Sequence, residues 1–174
     1  DGNNTQLLYK KGWSGINFDI NYYSIALFKV LRKRDTNIHS GISNKKTKLI
    51  MYYRKKINML NTTDKKIAKI HFRNGYKKRN VQVNTLDFFL KKQFKELKKI
   101  DFINIDVEGN ELNVLKSLNL KAYNPKLICI EIHNDKNMYD TNYKYLKSNK
   151  VYSYLINNKY KMIWKNKYSF IFER

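Results

Sequence analysis

The run Asp101-Phe-Ile-Asn-Ile-Asp106-Val-Glu108-Gly109-Asn-Glu111-Leu-Asn-Val-Leu115 changes its periodicity halfway along, and that change constrains the fold more than any other feature of the chain. Phe102, Ile103 and Ile105 are strand formers, whereas from Gly109 onward Leu112, Leu115 and Leu118 recur at helical spacing. A strand feeding a helix in this way belongs to α/β architecture, where ligands bind at the carboxyl ends of parallel strands and in the loops after them. Asp106, Glu108 and Glu111 sit at that switch and are chemical candidates. A structural reading competes, because acidic residues in a first helical turn complement the dipole and cap free N–H groups. That reading is preferred for Glu111. Asp106 stands at the last strand position, where capping has less to offer, and a functional role is expected of it.

The same alternation runs through the rest of the chain. Thr5 to Lys10 reads as a helix ending at Gly12, and Ile16 to Ile20 as a strand carrying the carboxylate Asp19. Ile25, Phe28 and Leu31 mark a helix face, and Asn37 to Ser43 a second strand. Between Thr47 and Val83 the pattern gives strands at Leu49–Tyr53 and Val81–Val83 around an irregular middle. Leu86, Phe89, Leu90, Phe94 and Leu97 share a helix face that Asn84 or Thr85 caps. Leu127 to Ile132 is apolar enough for a strand buried on both sides. Tyr139, Tyr143 and Leu146 mark a last helix, and Tyr152–Ile156 with Tyr168–Phe172 a closing hairpin. The expectation is one α/β domain over residues 1–174 with a mostly parallel sheet and a C-terminal antiparallel hairpin.

Charge is lopsided, with 36 Lys+Arg against 14 Asp+Glu and a formal net charge of +22. The lysines are scattered with asparagine, isoleucine and tyrosine in short runs, not gathered with arginine and aromatics on one element as in a nucleic-acid site. Nucleic acid is therefore not the expected partner, although a non-catalytic basic module binding RNA or another polyanion stands as the alternative to an enzyme. A single cysteine, Cys129, lies in an apolar run and is expected to be a small buried hydrophobe, which excludes a disulfide framework or a CxxC metal motif. No stretch approaches the ~18 apolar residues of a membrane span and no signal peptide is visible, so a cytoplasmic protein without a membrane partner is expected. His39 and His71 have no partner motif and are read as structural.

Three strands end in polar groups: Asp19, Asp106, and Glu131 with His133 and Asn134. A carboxylate ending a strand of a nucleotide-binding unit can accept hydrogen bonds from ribose hydroxyls, so the three together point to a nucleoside cofactor beside a polar reaction centre.

Gly12-Trp13-Ser14-Gly15-Ile16-Asn17-Phe18-Asp19, then Asp106-Val-Glu108-Gly109-Asn110-Glu111, then Ile130-Glu131-Ile132-His133 resemble the marks of the FkbM-family methyltransferases, in the same order and over nearly the whole chain. The resemblance implies a Rossmann-like class I methyltransferase sheet, S-adenosyl-L-methionine as cofactor, and a small-molecule or glycan acceptor methylated at a hydroxyl. It further implies that Asp19 holds the cofactor ribose, that Ile42 and Ser43 lie near the adenine, that Thr5 lies in the cofactor-binding segment, and that Asp106 lies near the sulfonium and acceptor. The family's first strand and glycine-rich loop precede the segment that begins here, with Asp1-Gly2 as a remnant of that loop. The expectation is thus a domain incomplete at its N-terminus, inactive without that strand.

Attack of a hydroxyl oxygen on a methyl group is helped by a base within hydrogen-bond reach, for which His133 and Asp106 rank ahead of Glu108. Asp106 with Glu131 could instead hold a divalent cation, a less favoured role.

Overall fold

The computed structural model describes residues 4–56, 60–133 and 143–174, the side chain of Tyr143 excepted. Expectations that fall on Asp1-Gly2, Asn134 and Tyr139 lie outside these residues. The chain is α/β and divides into two compact units, Asp1–Asn84 and Thr85–Arg174.

The N-terminal unit begins with α1 (Gln6–Lys10), which stops at Gly12, whose φ of +92° is the left-handed conformation that glycine adopts without strain. Strand β1 (Ile16–Asp19) pairs in parallel with β2 (Thr36–His39), Asp19 opposite His39. Between them lies α2 (Tyr22–Leu31), capped by the Asn21 side chain, which accepts the Tyr23 N–H at 3.0 Å. Ile25 is buried on α2 as its spacing predicts, but Leu31, the last residue of the helix, is 67% exposed. The strand expected over Asn37–Ser43 is two, since the chain breaks at Ser40 and continues as β3 (Gly41–Ile42) in another sheet.

That second sheet has the order β3-β5-β4, with β4 (Thr47–Tyr53) antiparallel to β5 (Lys77–Asn84) and β3 parallel to it. Met51, Val81 and Val83 form its buried face, with Ile20 and Leu49 packed on them. Within the stretch expected to be irregular lies α3 (Lys65–His71), capped by Asp64, whose carboxylate accepts the N–H of Lys66 at 2.6 Å and of Ile67 at 3.2 Å. Gly41 permits the close approach of β3: a Cβ there would lie 2.5 Å from Val83 Cγ1 and 2.6 Å from Ile20 Cγ2. Both atoms belong to stiff β-branched side chains. Gly41→Ala is expected to cost about 1–3 kcal/mol in urea unfolding, as overpacking does, and no loss would show that this contact is loose.

The C-terminal unit is built on a four-stranded sheet of order β6-β7-β9-β8. Its strands are β6 (Phe102–Ile105), β7 (Leu127–Glu131), β8 (Lys161–Asn166) and β9 (Ser169–Glu173). β6 and β7 are parallel, whereas β9 runs antiparallel to both its neighbours, β7 and β8. Pairing over the three sheets is therefore mixed, not mostly parallel.

The closing hairpin exists, but its first arm is β8. Tyr152–Ile156 instead lies in α8 (Lys150–Asn157), because Asn149 caps a helix there by accepting the N–H groups of Val151 and Tyr152 at 2.8 and 3.3 Å. Four further helices complete the unit: α4 (Leu86–Gln93), α5 (Glu111–Lys116), α6 (Leu120–Tyr123) and α7 (Tyr143–Ser148). Thr85 caps α4, its hydroxyl accepting the Phe88 N–H at 3.1 Å. Ile128, Ile130, Phe170 and Phe172 are fully buried, so the central strands β7 and β9 carry the core. No helix among the described residues is long and apolar enough to cross a membrane.

Candidate active site

The carboxyl ends of β6 and β7 lie side by side, because their parallel register pairs Ile105 with Ile130. One residue further along, Asp106 and Glu131 leave the apolar interior together. Asp106 is the first residue after β6, one later than expected, and is exposed.

The chain then turns through Glu108 at φ +51° and Gly109 at φ +103°. Two successive left-handed residues reverse the backbone sharply, and the non-glycine one is an uncommon conformation of the kind concentrated at functional sites. The turn drives Glu108 inward until only 9% of it is exposed. Glu111 fixes the turn from behind: buried at the start of α5, it accepts the Gly109 N–H at 2.9 Å. Burial raises its carboxyl, against which the backbone donors of Gly109, Glu111 and Val107 work. The structural reading of Glu111 is the one its bonding supports.

His133, two residues beyond β7, joins the carboxylates. Its Nε2 lies 3.2 Å from Glu131 Oε2 and 3.9 Å from Glu108 Oε2, ion-pair distances. Its side chain is 13% exposed, its carbonyl accepts the Tyr145 hydroxyl, and its ring lies 5.3 Å from that of Tyr168. Burial alone would lower the imidazole, but contact with Glu131 and the charges of Glu108, Glu131 and Glu111 outweigh it and hold it above its ordinary value. Glu108 is raised as well, but by burial itself. Burial, helped by Asp106, pushes its carboxyl up to about 7, with Glu131 and Glu111 adding and His133 opposing. The carboxylate ranked last as a base is thus the one best tuned to accept a proton near neutrality, while His133 favours its charged form.

Four of the chain's 14 acidic residues gather here on a protein of charge +22, so the cluster is not what scattering would give. Asp106, Glu108 and Glu131 offer oxygens within 4.8 Å of one another, a donor set a hard cation can use. The imidazole beside Glu131 and Glu108 already supplies a counter-charge to two of the three. Cys129 is buried as expected, and burial, with Glu131 and Asp106, pushes its thiol up to about 11, leaving it inert.

In the N-terminal unit, Asp19 closes β1, and its Oδ1 accepts the Asn21 N–H at 2.7 Å. Burial raises its carboxyl, while Asn21, the Ser24 hydroxyl and His39 work the other way. Ile42 ends β3, and Ser43, 4% exposed, donates its N–H to the Asn84 carbonyl at 3.0 Å. Thr5 opens α1, where buried Arg32 donates to both its carbonyl, at 3.3 Å, and its hydroxyl. Arg32 is itself held by Asp35 at 3.4 Å and by the rings of Tyr9 and Phe28. Trp13, in the turn before β1, is 46% exposed. His39 Nε2 contacts the Ile20 carbonyl at 3.1 Å, which suits the structural role read for it.

Sequence reasoning did not find Tyr145 or Tyr168 around His133. No local pattern marks either; Tyr168 arrives only because β9 pairs with β7 so that Ser169 meets Glu131.

A family model described as the methyltransferase FkbM domain matches residues 1–162. No curated protein and no solved structure shows a significant match. The family match takes in Asp19, the turn after β6 and the whole Glu108–Glu131–His133 cluster, and the chain belongs to the FkbM methyltransferase family.

Proposed function

We propose that this protein is an S-adenosyl-L-methionine-dependent methyltransferase that methylates a hydroxyl oxygen of a small molecule or glycan, with Glu108 as the base. The observation that carries the reading is the buried Glu108–His133–Glu131 arrangement at the carboxyl ends of parallel strands in a chain of this family. We read residues 1–174 as a single methyltransferase domain, incomplete at its N-terminus; within the C-terminal unit the order β6-β7-β9-β8, two parallel strands followed by an antiparallel pair, supports a Rossmann-like sheet. A single buried thiol agrees with a cytoplasmic location.

Bound S-adenosylmethionine supplies a methyl group on positively charged sulfur, open to in-line attack. The residues fit such a group: Asp19 offers a strand-end carboxylate steadied by the Asn21 N–H, and the acidic cluster offers negative charge to a sulfonium. In this reading Asp19 accepts from the ribose hydroxyls, Ile42 and Ser43 border the adenine, and Thr5 lies in the cofactor-binding segment. Asp106 stands near the sulfonium and the acceptor.

Glu108, with a carboxyl near 7, takes the acceptor's proton as the oxygen attacks. His133, charged through Glu131, steadies the ionised Glu108 from 3.9 Å and fixes its orientation. Holding the acceptor oxygen in line supplies much of the remaining rate gain, on the order of 7 kcal/mol in favourable cases. No metal is required by these steps.

The test, on the chain extended upstream by the family's first strand and glycine-rich loop, is transfer of labelled methyl from S-adenosylmethionine to a panel of hydroxyl-bearing small molecules and glycans. Label on oxygen is expected, and label on nitrogen alone would overturn the acceptor class. Asp19→Ala is expected to weaken cofactor binding by about 1.5–3 kcal/mol, the worth of hydrogen bonds to a charged group. An unchanged affinity would place the ribose elsewhere.

A further inference from the structure

At the far end of the β4–β5 hairpin, away from β3, the chain forms a surface pocket lined by Arg54, Asn74, Gly75, Tyr76 and Lys77. None of these residues belongs to the site described above.

Its frame is fixed by backbone pairing. The antiparallel register sets Tyr53 opposite Lys77, so Arg54 leaves one strand end where Tyr76 enters the other. Tyr76 is held edge-on against Tyr52 at 5.1 Å, in the buried cluster of Tyr52, Ala68 and Phe72. Gly75, at φ +94° with open space where a side chain would stand, keeps the rim low and turns the chain back into β5.

The charge is one-sided. Residues 54–56 and 73–79 carry seven Lys or Arg and no Asp or Glu. Among the described residues no carboxylate pairs with Arg54 or Lys77. The acidic side chain that opens α3, Asp64, is committed to capping the helix. Two cations are therefore kept at one concavity without local neutralisation, beside donors of the kind that bind oxyanions: a guanidinium fork, an ammonium, a phenol and an amide.

We propose that this pocket binds a phosphoryl oxyanion, carried by a small molecule or free in solution. The two cations match the charge of a phosphate dianion, and the pocket's five residues suit one tetrahedral group and not a polymer backbone. The site is independent of the methyl-transfer reading and would stand if that reading failed.

The experiment is titration calorimetry of the whole chain at low ionic strength with inorganic phosphate, glucose 1-phosphate, acetate and a single-stranded oligouridine. Phosphate is expected to bind saturably and more tightly than acetate. Arg54→Ala and Lys77→Ala are each expected to weaken it about tenfold or more. Lys144→Ala, which removes an equal charge from the surface of α7, is expected to leave it unchanged. Tighter binding of glucose 1-phosphate than of inorganic phosphate assigns the site to a phosphomonoester, and equal or weaker binding assigns it to free phosphate; both support the oxyanion site. Absence of saturation, or equal weakening by Lys144→Ala, overturns it. Oligouridine binding that is far tighter, falls steeply with salt and depends on Arg54 and Lys77 also overturns it, in favour of a nucleic-acid surface.

Discussion

Glu108→Gln is expected to lower kcat by about 10²–10⁴-fold, the range a positioned general base contributes, while making the fold more stable at pH 8. The two effects come from one cause. Burial and the neighbouring Asp106 hold the Glu108 carboxyl near 7, which suits it to take a proton but penalises its ionised form in the folded protein.

The sign of the stability effect follows from proton uptake. Between about 4.5, its ordinary value, and about 7 the folded protein holds a proton on Glu108 that the unfolded chain has released, so stability falls as pH rises through that window. His133 acts in the same direction at higher pH. Its raised value means that the stability it contributes is fully present below about 6.5 and is lost as pH rises through its folded value. Replacing Glu108 by Gln removes the first penalty, so a gain of about 1–2 kcal/mol is expected at pH 8, after discounting for its coupling to His133 and partial solvation, with no gain at pH 4. Activity of the unsubstituted protein is expected to rise with pH through about 7 and to fall as His133 loses its proton. The substituted protein should lack the rising limb. Retained activity together with the same pH profile would remove Glu108 from the reaction.

Phe172→Ala is expected to be the most damaging single core change, costing about 3–5 kcal/mol, as deletion of a buried aromatic ring does. Phe172 is fully buried on β9, opposite Ile128 of β7 on one side and Met162 of β8 on the other, and its ring meets Tyr152 of α8 at 5.9 Å. Removing it leaves a void between a helix and the middle of the sheet, where the backbone pairing on both sides limits collapse. Because β7 ends in Glu131 and leads to His133, disorder in this part of the sheet is expected to reduce activity as well as stability. Unfolding followed by tyrosine fluorescence and by circular dichroism checks the cost. A loss below about 1 kcal/mol would mean that the sheet is held mainly by its strand pairing.

Legibility in the sequence tracked how local each determinant is. The strand-to-helix switch after Phe102–Ile105 was readable because strand formers, glycine and leucine spacing all change within a few residues. Residues 152–156 of α8 read as a strand because Tyr152, Tyr154 and Ile156 alternate as strand-favouring types, and the helix signal is the cap, Asn149, three residues earlier. Helix α3 lies in a lysine-rich stretch with only two isoleucines to mark a face, and its clear marker is the cap, Asp64. In the site, the sequence offers Asp106, Glu108, Glu131 and His133 as candidates, but not the burial and distances that bring Glu108, Glu131 and His133 together. The burial of Glu108 depends on a left-handed backbone at that residue and on the β6–β7 register, neither of which a linear pattern encodes.

If the cluster at the ends of β6 and β7 serves methyl transfer, the demethylated cofactor must bind, and its binding is the most direct test. Titration calorimetry with S-adenosylhomocysteine, on the chain extended upstream by the family's first strand and glycine-rich loop, is expected to give a saturable heat with one ligand per chain, weakened by Asp19→Ala. Heat indistinguishable from dilution across the titration would contradict it.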